Sequence, residues 1–217
     1  MTLPVSLVAQ EHHVQQQREE AAEAGGSGPA GWLLVCEPPG LVFTVGVQGG
    51  WVVEERRLRA LGAAFAWVSR GRLLTFHGPG QLVAYPVLDL QCLGLPLHAY
   101  VAALKRLAQA AASSLSLPHP QPWPLPTTSL WIRDNKLCAI GVHCGRHIMS
   151  HGLALNCCTD LIRFDHIVPC GLEGKGVTSL SQELGRHVSV EEATKPFLDA
   201  FQEVFKCTLT VSEEPWS

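Results

Sequence analysis

The stretch Arg70-Gly71-Arg72-Leu73-Leu74-Thr75-Phe76-His77-Gly78-Pro79-Gly80-Gln81 constrains the fold of this chain more than any other. Three glycines, a proline, two arginines and a histidine stand between two apolar runs, Ala63 to Val68 and Leu82 to Leu90. Glycine lets a backbone pass close to another group, and proline fixes the bend beside it. An ordinary hairpin closes with about two to five residues. A connection with this much special backbone reads as a loop built to hold something.

The elements around that loop mix strand and helix without βαβ regularity. Val5 to Ala24 reads as an opening helix ended by Gly25-Gly26-Ser27-Gly28. Trp32 to Cys36 and Leu41 to Val47, separated by Pro38-Pro39-Gly40, read as a strand pair. Glu54 to Leu61 is a short charged helix. Ala63 to Val68 and Leu82 to Leu90 are strands bracketing the loop.

In His98 to Ser114, Val101, Leu104 and Leu107 form an apolar stripe at helical spacing, which is core packing. Pro118 to Pro126, with five prolines, is an exposed irregular crossing. Ser129 to Arg133, Leu137 to Val142 and Leu153 to Cys157 are strands. A last helix spans Val190 to Phe205, with Ser189 as N-cap and Glu192 three residues on, a capping box. The fold class is α+β, a single domain over residues 1–217 with a mixed β-sheet flanked by helices. Residues 1–31 form a variable N-terminal helix and a Gly-rich connection.

With 217 residues, 47% hydrophobic and 16% charged, the chain can build one substantial core and is not disordered. A net charge of −3 gives no protein-wide field for nucleic acid or for an anionic membrane. No apolar run reaches the length of a membrane span. Met1 to Gln17 has no arginine and no signal-peptide core, and its Gln and Glu content fits a transit peptide poorly. Eight cysteines without a small-domain spacing point to reduced thiols.

Cys170 stands apart from the other cysteines. In His166-Ile167-Val168-Pro169-Cys170-Gly171 the proline stiffens the approach and the glycine leaves one side of the sulfur open, as for a reactive thiol. Cys36, Cys138 and Cys157 lie inside apolar runs and read as packing residues. A thiol nucleophile needs a base or a cation beside it, because its free pKa is about 8.5. The candidates are His166, His77, His151 and Lys136. Lys136 follows Asp134-Asn135 in a tight turn and enters an apolar strand; its competing reading is a surface residue with a buried stem.

His143, Cys144, His147, His151, Cys157 and Cys158 invite a zinc reading. Their spacing opposes it, since adjacent Cys157 and Cys158 point to opposite faces of a strand. The expectation is a His-rich hairpin and no metal. The basic residues Arg56, Arg57, Arg59, Lys105 and Arg106 read as solvated helix faces. Arg70 and Arg72 differ, because an anionic group could dock in their glycine loop.

Four ordered segments resemble the signature of lipoyl(octanoyl) transferases: Arg70 to Gln81, Lys136 to Gly141, His151 to Asn156, and Pro169-Cys170-Gly171. Gly176 to Leu180 also fits, and the wording of His151 to Cys170 is most similar to the animal mitochondrial branch. The resemblance covers about two thirds of the chain from Trp32 onward. It implies the fold shared with biotin and lipoate protein ligase catalytic domains.

The activity it implies is transfer of an octanoyl group from octanoyl-acyl carrier protein to a specific lysine of a lipoyl domain, without a cofactor. The implied acceptors are the lipoyl domains of 2-oxoacid dehydrogenase E2 subunits and the glycine cleavage H protein; nucleic acid and membrane are not partners. It implies a mitochondrial location. Carried over by position, Cys170 is the acyl-accepting nucleophile and Lys136 its partner. Arg70, Gly71, Arg72, Leu73, Leu74, Thr75, Phe76 and His77 line the substrate pocket, with Ala139, Ile140, Gly141, Gly152, Leu153 and Ala154. The small residues Ala139, Gly141, Gly152 and Ala154 leave room for an acyl tail.

Two departures stand out. Arg72 replaces a glycine usual in the family, and the family's first strand is shortened or absent at Met1 to Leu7. An ATP-dependent ligase of the same fold, which has no need of Cys170, is the alternative enzyme. A non-catalytic module gripping lipoyl domains is the alternative outside enzymes.

Overall fold

The computed structural model describes residues 3–23, 31–46, 52–60, 62–68, 74–117, 121–122, 129–166 and 175–211. In chain order the elements are α1 (Leu3–Glu23), β1 (Gly31–Cys36), β2 (Val42–Gly46), α2 (Val52–Ala60), β3 (Ala64–Val68), β4 (Thr75–His77), β5 (Gln81–Leu88) and α3 (Leu97–Ser114). They continue as β6 (Gln121–Pro122), β7 (Leu130–Ile132), β8 (Asn135–Gly145), β9 (Ile148–Asn156), a 3-10 turn (Leu161–His166), β10 (Gly176–Val177), α4 (Leu180–Leu184) and α5 (Val190–Phe205). A large sheet has the order β1-β5-β9-β8-β7-β6, with β10 on β8, and a small sheet has the order β3-β2-β4.

This is the α+β class expected, with two corrections to the pairing. β1 and β2 are not partners. β1 pairs antiparallel with β5, from Gly31 opposite Leu88 to Cys36 opposite Val83, while β2 lies in the small sheet between β3 and β4. Pro38 and Pro39 carry no N–H, so the segment between β1 and β2 is poorly made for a hairpin ladder and carries the chain from one sheet to the other. The loop that precedes β5 also contains a strand of its own: Thr75, Phe76 and His77 pair with Thr44, Phe43 and Val42.

One face of the large sheet is covered by α3 and α5. α3 turns Tyr100, Ala103, Leu104, Leu107, Ala108, Ala111 and Ala112 inward, the alanines letting it lie close to its neighbours. Val101 is only partly buried, one step off that stripe. α5 contributes Phe197, Phe201 and Phe205, and the Ser189 hydroxyl accepts from the Glu192 N–H at 3.1 Å as its N-cap. Each fully buried leucine or phenylalanine here stabilises the fold by about 1.5–3 kcal/mol.

The other face meets α1 and the small sheet, and its chemistry differs. α1 buries Ser6, Gln10, His13 and Gln17, a polar stripe at helical spacing, beside Ala9 and Val14. β5 and β9 part company after Ala84 opposite Leu153, just before Pro86, and His151 adopts φ +58° there. The Oε1 of Gln10 accepts from the His151 N–H at 3.1 Å and so satisfies a donor that the β5 ladder leaves behind. β8 and β9 turn into each other through Arg146 and His147, both with positive φ (53° and 68°), as a two-residue hairpin loop requires.

Candidate active site

A β-bulge decides where Lys136 goes. Leu130 pairs with Cys138 but Trp131 pairs with Lys136, so Leu137 is an extra residue on β8. Without it, alternation would put Lys136 and Cys138 on the same face. Cys138 and Leu130 belong to the helix-side core. Lys136 instead shares the face of Trp131, and with it the face of Ala139 and Gly141.

Lys136 is only 5% exposed, with Nζ 5.1 Å from the centroid of the Trp131 ring. The π-face of an indole attracts an ammonium and so offsets part of the cost of burying one. The main chain of Lys136 is also tied. β10 runs parallel to β8 with Val177 opposite Lys136, and the Thr178 N–H donates to the Lys136 carbonyl at 2.9 Å. Glu183 brackets this segment: its carboxylate accepts from the Thr178 hydroxyl at 2.7 Å and lies 3.5 Å from Arg133, in the turn before β8.

The small residues are opposite one another across β8 and β9, Ala139 with Ala154 and Gly141 with Gly152. Their surroundings differ. Ala139 and Gly141 are half-buried, whereas Ala154 packs against Val42, Val83 and Tyr85. A Cβ on Gly152 would run into the carbonyl oxygen of Ala84 and come within 2.7 Å of the Pro86 ring, so the space this glycine leaves is taken by β5. Ile140 and Leu153, paired with each other, turn their side chains into the helix-side core. They offer the other face only backbone.

The loop residues divide in the same way. Leu74 and Phe76 are core of the small sheet, Phe76 lying 5.4 Å from Phe43 and 5.1 Å from Phe164 between ring centroids. Thr75 is half-buried, and His77 is buried with Nδ1 3.2 Å from Gln81 Oε1. Gly80 has φ +80°, and a Cβ there would lie 2.6 Å from Thr159 N and 2.7 Å from the carbonyl carbon of Cys158. Its carbonyl accepts from the N–H groups of Cys157 and Cys158 at 2.9 and 3.1 Å. What this end of the loop holds is the protein's own chain after β9.

Arg70, Gly71, Arg72, Leu73 and Cys170 lie outside the described residues, as do most of Pro118 to Pro126. Among the described thiols, burial holds Cys138 well above the ordinary thiol range and pushes Cys157 up to about 12, which keeps both protonated as packing residues. Cys36 is raised by burial as well. Among the described residues no group of three or more His, Cys, Asp or Glu side chains is placed to hold a metal ion. Sequence reasoning missed Gln81, Asn156, Thr178 and Trp131, which surround Lys136 and His77. Gln81 and Asn156 stood in plain view as the last residues of two signature segments.

The architecture is that of lipoate-protein ligases. A putative lipoate protein ligase from T. acidophilum superimposes with a TM-score of 0.67 at 15% identity, covering 93% of this chain and 85% of that one. Lipoate-protein ligase A bound with ATP gives 0.65 at 16% identity, covering 83% and 76%. The family model of the lipoyl protein ligase A/B catalytic domain matches residues 8–202, and the chain belongs to that family.

Within the family the similarity is to transferases. The Homo sapiens protein named octanoyl-acyl-carrier-protein:protein N-octanoyltransferase LIPT2, mitochondrial, is 56% identical over 200 residues, 92% of this chain and 87% of its own length. The Danio rerio protein of the same name is 47% identical, covering 94% and 88%. An octanoyltransferase of Flavobacterium psychrophilum is 37% identical, covering 90% and 85%.

Proposed function

We propose that this chain is an acyltransferase that moves an octanoyl group from octanoyl-acyl carrier protein to a lysine of a lipoyl domain, carrying it on Cys170 as a thioester. The observation that supports the reading best is the delivery of Lys136, through the Leu137 bulge, to the face of β8 that carries Ala139 and Gly141. A buried amine there serves a thiol nucleophile in both half-reactions.

In the first half-reaction the Cys170 thiolate attacks the donor thioester, the new C–S bond forms, and the pantetheine sulfur leaves and takes a proton from the Lys136 ammonium. In the second, the acceptor lysine attacks as the free amine. The C–N bond forms, the C–S bond to Cys170 breaks, and Lys136 takes back the proton that the amine loses. Thioester exchange is near balance, and the amide makes the second step downhill. The acyl chain lies over Ala139 and Gly141. Leu74, Phe76 and His77 are assigned to the walls of its pocket, Ile140 and Leu153 meet it only through their backbone, and Arg70 to Leu73 belong to the same pocket by the family resemblance. The acceptors are the lipoyl domains of 2-oxoacid dehydrogenase E2 subunits and the glycine cleavage H protein, and the location is mitochondrial, as the names of the animal relatives state for those proteins.

The test is incubation with octanoyl-acyl carrier protein in the absence of ATP, followed by mass spectrometry under denaturing conditions. An octanoyl group retained on Cys170, and lost on adding a lipoyl domain, is the expected result. Strict dependence of acceptor modification on ATP would sink the reading in favour of a ligase.

A further inference from the structure

Lys136 stands where β8 changes partners. From Cys138 onward its neighbour is β9, beginning with Leu155; at Asn135 and Lys136 the neighbour is β10. Asn156 is the last residue of β9, at that change, and Gln81, the first of β5, pairs with it. The two carboxamides join in a buried line. Asn156 Nδ2 donates to the Thr178 carbonyl at 2.9 Å, and the Thr178 N–H donates to the Lys136 carbonyl. In the other direction Gln81 Nε2 donates to Asn156 Oδ1 at 2.9 Å and toward the Phe76 carbonyl at 3.5 Å, and Gln81 Oε1 faces His77 Nδ1 at 3.2 Å. Gln81 is 2% exposed and Asn156 4%.

The direction of this line is set at its ends. A backbone carbonyl only accepts, so Asn156 must turn its NH2 to Thr178 and its oxygen to Gln81. Gln81 must then offer its NH2 to Asn156 and to Phe76, which leaves its oxygen for His77. An amide oxygen only accepts, so the proton of the neutral imidazole sits on Nδ1 and Nε2 is the accepting nitrogen.

We propose that Gln81 and Asn156 are positioning residues of the transfer site. Through Thr178 they hold the main chain of Lys136 at one end, and at the other they hold His77 as the Nδ1–H tautomer. The proposal rests on Lys136 being the partner of Cys170. It explains why two carboxamides sit in a sheet core where apolar residues would pack without the need for partners.

The test uses the full chain labelled with 15N-histidine, with a His77→Gln variant to assign the His77 signals. The unsubstituted protein is expected to show Nδ1 protonated and Nε2 bare at a pH where His77 is neutral. Gln81→Met removes the acceptor and is expected to release that tautomer in favour of Nε2–H. Asn156→Leu keeps about the same size but can neither donate to Thr178 nor accept from Gln81, and it is expected to lower kcat for octanoyl transfer by about 10²-fold, the scale of a misplacement of about 1 Å, with KM for the donor within about twofold.

A bare Nδ1 in the unsubstituted protein, a tautomer unmoved by Gln81→Met, or an undiminished kcat in Asn156→Leu would each overturn the relay. The first of these needs no variant to fold. Failure of the unsubstituted chain to capture octanoyl on Cys170 would overturn the transfer reading itself, and is scored before the variants are made.

Discussion

The two faces of the β8–β9 ribbon share a backbone and a stretch of sequence, and they are built on opposite rules. Toward α3 and α5 the ribbon presents Cys138, Ile140, Leu153 and Leu155, packed into one continuous apolar core. Toward the small sheet and α1 it presents Lys136, Ala139, Gly141, Gly152 and Ala154. The first face derives its stability from volume. The second holds a buried amine, small residues that are half-buried on β8 and buried on β9, and the hydrogen-bonded carboxamides at its end. Alternate residues of one segment therefore do different jobs, and a single extra residue, Leu137, moves Lys136 from the first set to the second.

The sharpest way to break this division is at Lys136. Lys136→Met keeps the length of the side chain and removes a buried charge, so the fold should survive with little change in Tm. Transfer should fall by about 10²- to 10⁴-fold, the usual worth of a positioned proton donor and acceptor. Rapid-quench measurement of octanoyl capture on Cys170, alongside thermal unfolding, separates the two effects. Capture at the unsubstituted rate would place the proton transfer elsewhere and remove Lys136 from the site.

Neighbouring residues on the two faces should fail in different ways. Leu153→Ala empties a core position that is 3% exposed and should cost about 2–5 kcal/mol of stability in denaturant unfolding, with acyl-chain preference unchanged in the protein that remains folded. Ala139→Leu, on the other face of the ribbon, should barely affect stability, since Ala139 is half-buried. It should instead fill the space of the acyl tail. A methylene more or less in an apolar pocket is worth about 1–3 kcal/mol, so the preference for octanoyl over hexanoyl donors should fall by roughly tenfold or more. A chain-length change from Leu153→Ala, or none from Ala139→Leu, would reverse the assignment of the faces.

Much of this was legible in the sequence, for identifiable reasons. The helix-side face is written in periodicity: Leu104 and Leu107 in α3 and the capped start of α5 at Ser189 are local signals, and local signals survive folding. The pairing of β1 with β5 was not legible, because Pro38-Pro39-Gly40 looks the same whether it reverses a hairpin or hands the chain to a second sheet. The β4 strand was hidden because Thr75 to His77 is held by Val42 to Thr44, some thirty residues earlier.

In the candidate site, Lys136 was visible as a charge entering an apolar strand, but its face depends on the Leu137 bulge, a matter of register with β7. Gly80 read as making room for a bound group, and the group proves to be the chain at Cys158 and Thr159. Gln81 and Asn156 carried no signal of their own, since a carboxamide declares its role only through the partners that tertiary structure brings to it.

The smallest effect tests the helix layer at its edge. Glu192, in the first turn of α5, gives its N–H to the Ser189 cap while its carboxylate is gripped by the exposed Arg186 guanidinium at 2.7 and 3.1 Å. The side chain that could return a hydrogen bond to the cap is thus engaged by Arg186. That contact holds the Glu192 carboxyl below the ordinary carboxylate range. A folded pKa below the unfolded one favours the native state wherever the carboxylate is ionised in both, above the ordinary value of about 4.3. The gain is lost as pH falls through the lower folded value. Glu192→Gln should therefore lower Tm slightly near neutral pH, where an exposed pair is already screened by solvent and salt. The difference from the unsubstituted protein should shrink below a pH of about 4 and vanish in stronger acid. Octanoyl transfer should be unchanged, because among the described residues α5 packs into the helix-side core against α3 and β5. A difference in Tm that persists undiminished at low pH would mean that Glu192 acts through packing or the cap and not through its charge.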